Sequence, residues 1–73
     1  MHIIVMFTRY LIKCGNEEHG VFNTRGLARH NAFRLARELS WQKPAIKVHN
    51  NQTGKVVFEI KPGSSEIVTD ILE

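Results

Sequence analysis

The sequence predicts an α+β domain of two layers, in which one amphipathic helix lies across one face of a small antiparallel sheet of three or four strands. Three observations support this fold class. Residues 2–13 are rich in β-branched and aromatic side chains, residues 25–41 space their apolar positions as a helix does, and residues 45–60 alternate apolar with polar positions. The predicted order is β-β-α-β-β, and 73 residues allow a single domain, residues 1–73.

The first predicted strand covers residues 2–13, either unbroken or as two segments joined by a bulge. Its apolar residues occupy both alternating phases, so that both faces of the strand are apolar. A strand of this kind is either covered on both sides or lies at a subunit contact. We therefore expect a homodimer formed through this strand or through the C-terminal segment.

Residues 14–20 are polar, contain two glycines and predict a hairpin loop. Val21 and Phe22 then begin a short returning strand. Asn23 or Thr24 follows as the N-cap of the helix, because either side chain can accept a hydrogen bond from a backbone N–H of the first turn.

The helix is predicted over residues 25–41, and Pro44 requires that it end by Gln42 or Lys43. Its predicted core face is a stripe in which three alanines stand four residues apart. The members of this stripe are Leu27, Ala28, Asn31, Ala32, Leu35, Ala36 and Leu39.

Residues 45–49 and 55–60 predict a hairpin, with a turn over residues 50–54 in which Gly54 takes a positive φ. Residues 65–73 place Ile67, Val68, Ile71 and Leu72 at a helical spacing. This pattern predicts a short C-terminal helix, and the β-branched residues leave a strand as the alternative.

The basic charge of the chain is concentrated in its central segment. The whole sequence carries a net charge of +3, whereas residues 25–47 contain six Lys and Arg against Glu38 alone, a net charge of +5. The chain shows no secretory signal, its apolar runs are shorter than the ~20 residues of a membrane span, and its one cysteine fits a reducing compartment. These features predict a cytoplasmic protein without a membrane partner.

The helix face opposite the alanine stripe carries the candidate binding residues. They combine arginines with aromatic side chains, which suits phosphate contacts and base stacking in nucleic acid and equally suits a protein interface. The alternative is that the aromatic residues fold back and complete a thin core. The candidate residues are Arg29, His30, Phe33, Arg34, Arg37 and Trp41.

No residue pattern predicts catalysis, a cofactor or a metal site. Cys14 and His19 lie in one loop, but nothing in the sequence supplies an oxyanion hole or a pocket for a Cys–His nucleophile. The four histidines and one cysteine lack the paired spacing of a structural zinc site. We therefore expect a protein that is not an enzyme.

Two groups of small proteins resemble this chain in size and element order over residues 3–60. The resemblance rests on residues 22–24, which open an alanine-rich helix, and on residues 54–58, which close a hairpin. One group is the sheet-and-helix DNA-binding module found at integrase N-termini, and the other is the small phage- or plasmid-borne inhibitors, anti-CRISPR proteins among them.

The functional expectation is a non-enzymatic binding module that contacts nucleic acid through the basic and aromatic helix face. The alternative is a protein–protein interaction module of the phage or plasmid type, either an inhibitor or an accessory subunit of a larger protein complex. The resemblance assigns no functional residue.

Overall fold

The computed structural model describes residues 8–72, and its elements are one helix and five strands. The elements are β1 (Tyr10–Cys14), β2 (Glu17–Phe22), α1 (Arg25–Glu38), β3 (Ile46–Asn50), β4 (Val56–Ile60) and β5 (Ile67–Asp70). All neighbouring strands are antiparallel, in the order β2-β1-β3-β4-β5. The α+β prediction with one helix is confirmed, whereas the predicted three or four strands are in fact five. The part of the first predicted strand before residue 8 lies outside the described residues.

The β1–β2 hairpin is tighter than predicted, because its loop is reduced to a turn at Gly15 and Asn16. Gly15 takes φ +61°, which glycine adopts without steric cost. The returning strand therefore starts at Glu17 and not at Val21. The polar sequence of β2 is compatible with a strand because β2 lies at the edge of the sheet, where one side of the strand faces solvent.

The helix begins as predicted and ends earlier than predicted. Thr24 is the N-cap, and its hydroxyl accepts a hydrogen bond from the Leu27 N–H. At the other end Leu39 already has extended backbone (ψ 148°), so that α1 covers Arg25–Glu38 and Trp41 lies outside it. Within residues 8–72 no helix combines the length and the apolar character needed to cross a bilayer.

The alanine stripe is the contact between helix and sheet. Ala28, Ala32 and Ala36 are completely or almost completely buried. They pack on a core formed by the helix-facing side chains of the three central strands, which are Ile12, Cys14, Ile46, Val48, Phe58 and Ile60. The predicted core face was too wide on one side, because Leu27 is exposed. Asn31, on the same side, donates a side-chain hydrogen bond to the Leu27 carbonyl.

The β3–β4 hairpin has the predicted turn. The side chain of Asn50 is buried, and its Oδ1 accepts hydrogen bonds from the N–H groups of Gln52 and Thr53. Gly54 takes φ +77° as predicted. The buried amide therefore holds the turn in one geometry.

The C-terminal segment forms strand β5, so that the predicted helix is wrong and the strand alternative is correct. A bulge at Val68 interrupts the pairing of β5 with β4, between the pairs Glu59–Thr69 and Ile60–Ile67. The bulge adds one residue and breaks the period of two that identifies a strand in sequence. This explains why the apolar spacing in this segment imitates a helix.

Two arginines of the helix form ion pairs with β5 and so connect this edge strand to the helix layer. Asp70 forms ion pairs with Arg25 and with Arg29, the latter at 3.3 Å, and Arg25 also donates to the Ile71 carbonyl at 3.0 Å. The guanidinium of Arg29 lies over the rings of Phe33 and Phe58, 4.9 and 5.3 Å from their centroids. These contacts bring the edge strand and the first half of the helix together.

The turn between β4 and β5 closes the C-terminal end of the helix. The N–H of Gly63 donates a 2.6 Å hydrogen bond to the Ala36 carbonyl, which no longer has a partner inside the helix. Gly63 has φ +74°, and a Cβ at this position would lie 3.0 Å from the backbone nitrogen of Trp41. The early end of the helix therefore depends on a tertiary contact.

We predict that Gly63→Ala lowers the free energy of unfolding by about 1 kcal/mol more than Gly54→Ala does. Both glycines have nearly the same positive φ, but a Cβ at Gly54 meets no atom within 4 Å. The difference between the variants therefore isolates the contact with Trp41. Urea denaturation measures both values, and equal losses would show that Gly63 is needed only for its backbone conformation.

Candidate nucleic-acid interface

The six residues predicted as a binding face divide into two groups in the structure. Arg29 and Phe33 lie at the side of the helix that meets β4 and β5, and both are partly buried. The remaining four side chains are exposed. These are His30, Arg34 and Arg37, which point away from the sheet, and Trp41, which follows the helix.

Phe33 belongs mainly to the core. Its ring packs against Phe58 with the centroids 5.4 Å apart and the planes at 53°, and the Arg29 guanidinium covers it. Arg29 is at the same time held by Asp70. Both residues therefore have a structural role that accounts for their position.

Arg34 and Arg37 differ from the first two arginines of the helix in having no acidic partner. No carboxylate within residues 8–72 forms an ion pair with either of them. Arg37 borders a cavity of about 460 Å³, which it lines together with Phe33 and the turn residues Gly63, Ser64 and Ser65. The Ser64 hydroxyl bonds within the turn, where it donates to the Lys61 carbonyl and accepts from the Glu66 N–H. The Arg37 guanidinium beside the Ser65 hydroxyl is a suitable environment for a phosphate group.

Trp41 is the most exposed aromatic residue in the described part of the chain, with 76% of its surface accessible. Its backbone is fixed by the close approach of Gly63, whereas its indole faces solvent. A second cavity of about 440 Å³ lies beside it, on the other side of the same turn. Lys43, Lys61 and Glu66 contribute the charged groups of this cavity.

We call this continuous basic and aromatic region the Trp41 surface. Its members are His30, Arg34, Arg37, Trp41, Lys43, Lys61, Ser64 and Ser65. Two acidic side chains reduce its charge: the exposed Glu38 follows Arg37 in the helix, and Glu66 Oε2 lies 3.5 Å from Lys61 Nζ. That pair is exposed on both sides and therefore weak.

Four members of the Trp41 surface were missed from the sequence. Lys43 comes from the segment after the helix, while Lys61, Ser64 and Ser65 come from the β4–β5 turn. They join the helix residues only because the turn docks on Ala36 and Trp41. Lys61 and the turn that contains it can be recognised in the sequence. The sequence near the turn does not show which part of the fold the turn packs against.

The Cys14 thiol lacks the properties of an activated nucleophile. Burial raises its pKa, and the negative charge of Glu17 raises it further. The Sγ atom donates a hydrogen bond to the Pro44 carbonyl, while Nε2 of His19 lies 3.4 Å from a Glu17 oxygen. Among residues 8–72, no three His, Cys, Asp or Glu side chains form a group that could hold a metal ion.

Comparison with known proteins gives no relative. No protein-family model, no curated protein sequence and no solved structure matches this chain. The functional argument therefore rests on the chemistry of the Trp41 surface.

We predict that Phe33→Ala destabilises the protein much more than Trp41→Ala does. Phe33→Ala should lower the free energy of unfolding by about 2–3 kcal/mol, because it leaves a gap against Phe58. Trp41→Ala keeps the Cβ that meets Gly63 and removes only an exposed indole, so that the change should stay within about 0.5 kcal/mol. Thermal unfolding followed by circular dichroism compares the two, and a large loss in Trp41→Ala would make the indole part of the fold.

Proposed function

We propose that this protein is a non-enzymatic module that binds single-stranded nucleic acid on the Trp41 surface. The observation that carries the proposal is the combination of a fixed backbone and a free indole at Trp41, between two cavities bordered by cations. An exposed aromatic ring among cations is the usual platform for a stacked base whose phosphates lie on either side.

Each part of the Trp41 surface has a definite task in this proposal. Arg37, with the hydroxyl of Ser65, receives one phosphate in the cavity beside Phe33. A base stacks on the indole of Trp41, and the ammonium groups of Lys43 and Lys61 meet the next phosphate. His30 and Arg34 extend the basic path along the helix.

Single strands are favoured over duplexes by the position of the aromatic residue. Trp41 lies after the end of the helix, beside a turn, and presents its ring to solvent. Bases in a duplex are already stacked on one another, whereas the bases of a single strand are available to an exposed ring. The binding test includes both DNA and RNA single strands.

We predict that Arg34→Gln combined with Arg37→Gln weakens binding of a short single-stranded oligonucleotide and flattens its salt dependence. Each lost phosphate contact should reduce the slope of log K against log salt by about 0.7 for a single strand, so that the double variant loses about 1.4. The fluorescence of Trp41, the only tryptophan of the chain, measures binding directly through quenching by the stacked base.

The matched control is Arg9→Gln combined with Lys55→Gln. It removes the same charge from two exposed residues near the β3–β4 turn, at the opposite end of β4 from Lys61. This control should lower affinity much less. An equal loss of affinity in both double variants would show that binding depends only on net charge. The absence of Trp41 quenching at 50 mM salt, with both DNA and RNA single strands, would refute the proposal.

A second candidate function is that of a protein–protein interaction module, either as an inhibitor or as an accessory subunit. One observation favours it: four of the seven exposed large hydrophobic residues in residues 8–72 belong to β5 and the residues after it. They are Ile67, Val68, Ile71 and Leu72. An open sheet edge with apolar side chains can pair with a strand of a partner, including a second copy of the chain.

This second candidate predicts that Val68→Lys abolishes self-association or partner binding. Its control is Val21→Lys on the other edge strand, because both valines are 49% exposed. The β2 edge already carries Glu17 and Glu18, so a further charge there should change little. Sedimentation equilibrium at high micromolar concentration compares the variants, and a strict monomer in the unchanged protein would refute the homodimer.

The cellular location proposed with both candidates is the cytoplasm. The support for it is Cys14, the single cysteine of the sequence, which is a free and buried thiol in the structure. Free thiols are typical of proteins in reducing compartments.

A further inference from the structure

The face of the sheet opposite the helix carries a site that the proposed function does not use. Along β1 and β3 the side chains of Ile12 and Val48 point into the core, so that Lys13 and Lys47 point to the other face. On this face lies a cavity of about 340 Å³. Its lining residues are Lys13, Gly15, Pro44, Ala45, Lys47, His49 and Glu59.

Two lysines stand directly opposite each other at the centre of this face. Lys13 of β1 is paired in register with Lys47 of β3. Like charges at directly opposed positions destabilise a sheet. An anion between the two ammonium groups would relieve this repulsion further than the carboxylates that flank the pair.

The neighbouring carboxylates leave both lysines available. Glu18 is opposite Lys13 and Glu59 is opposite Lys47 in the same cross-strand row. Nevertheless, no ion pair within residues 8–72 includes either lysine. His49, whose Nδ1 lies 3.4 Å from the Gly54 carbonyl, adds a third nitrogen-bearing side chain to the cavity.

The cavity also has a polar acceptor and an apolar end, which limits the ligand further. Glu59 offers a carboxylate that accepts hydrogen bonds from hydroxyl or amino groups, while Pro44 and Ala45 provide apolar contact. A volume of this size lies at the lower end of the range for small-molecule sites. A long polymer is not needed to fill it.

We propose that this cavity binds the phosphate group of a small phosphomonoester, with Lys13 and Lys47 on the phosphate oxygens. Glu59 accepts a hydrogen bond from a hydroxyl or amino group of the same molecule. The lysine cavity adjoins the cavity beside Trp41, since Ala45 lines both, but the charged residues of the two cavities are different.

The test is a titration of the isotopically labelled full chain, followed by the backbone amide resonances, with inorganic phosphate and with adenosine 5′-monophosphate at constant ionic strength. Saturable shifts at Lys13, Lys47 and Glu59 are expected. Lys13→Gln and Lys47→Gln should each weaken binding at least fivefold, while Lys55→Gln, which removes an exposed lysine outside the cavity, should change it less than twofold.

Three results would overturn the proposal. The first is the absence of saturable shifts with both phosphate probes. The second is a shift of these amides by a single-stranded oligonucleotide alone, which would assign the lysine pair to a polymer. The third is an equal loss of phosphate affinity in Lys55→Gln and in the two cavity variants, which would reduce the effect to net charge. Quenching of Trp41 by a single strand should be unchanged in Lys13→Gln, because Lys13 lines only the lysine cavity, so that this measurement distinguishes the two sites.

Discussion

The close approach of the helix to the sheet determines the rest of this structure. Three alanines, Ala28, Ala32 and Ala36, form the whole buried centre of the helix face. Larger residues lie on the two flanks of this contact and not at its centre. Leu35 and Leu39 pack on one flank, and Arg29 with Phe33 on the other.

This arrangement explains how one helix carries two kinds of arginine. The arginines of the first two turns lie close enough to β5 to form ion pairs with Asp70, and they connect this edge strand to the helix. Arg34 and Arg37 lie on the far side of the helix, and within residues 8–72 neither forms an ion pair. The same residue type therefore stabilises the fold in one half and is available for a ligand in the other.

The sequence predicted what is local and missed what depends on contacts between distant segments. The Thr24 cap, the start of the helix and the Gly54 turn follow from side chains within a few residues of each other. The end of the helix at Glu38 depends instead on Gly63, which is 25 residues away and supplies the hydrogen bond to Ala36. The bulge at Val68 concealed β5 in the same manner, since the signature of a strand is a regular alternation that a bulge removes.

The exposure of Trp41 is the feature that folding physics explains least. A chain of 73 residues has a thin core, and burial of a large side chain contributes about 2–3 kcal/mol to its stability. Phe33, two turns earlier, makes that contribution by packing on Phe58. The backbone of Trp41 packs so closely on Gly63 that a Cβ there would lie 3.0 Å from it, and the indole ring nevertheless remains in solvent. A fold that packs the backbone of Trp41 and leaves its indole in solvent forgoes the stability that burial of the ring would give. In the proposed function, a nucleobase stacked on the ring would supply that burial in the complex.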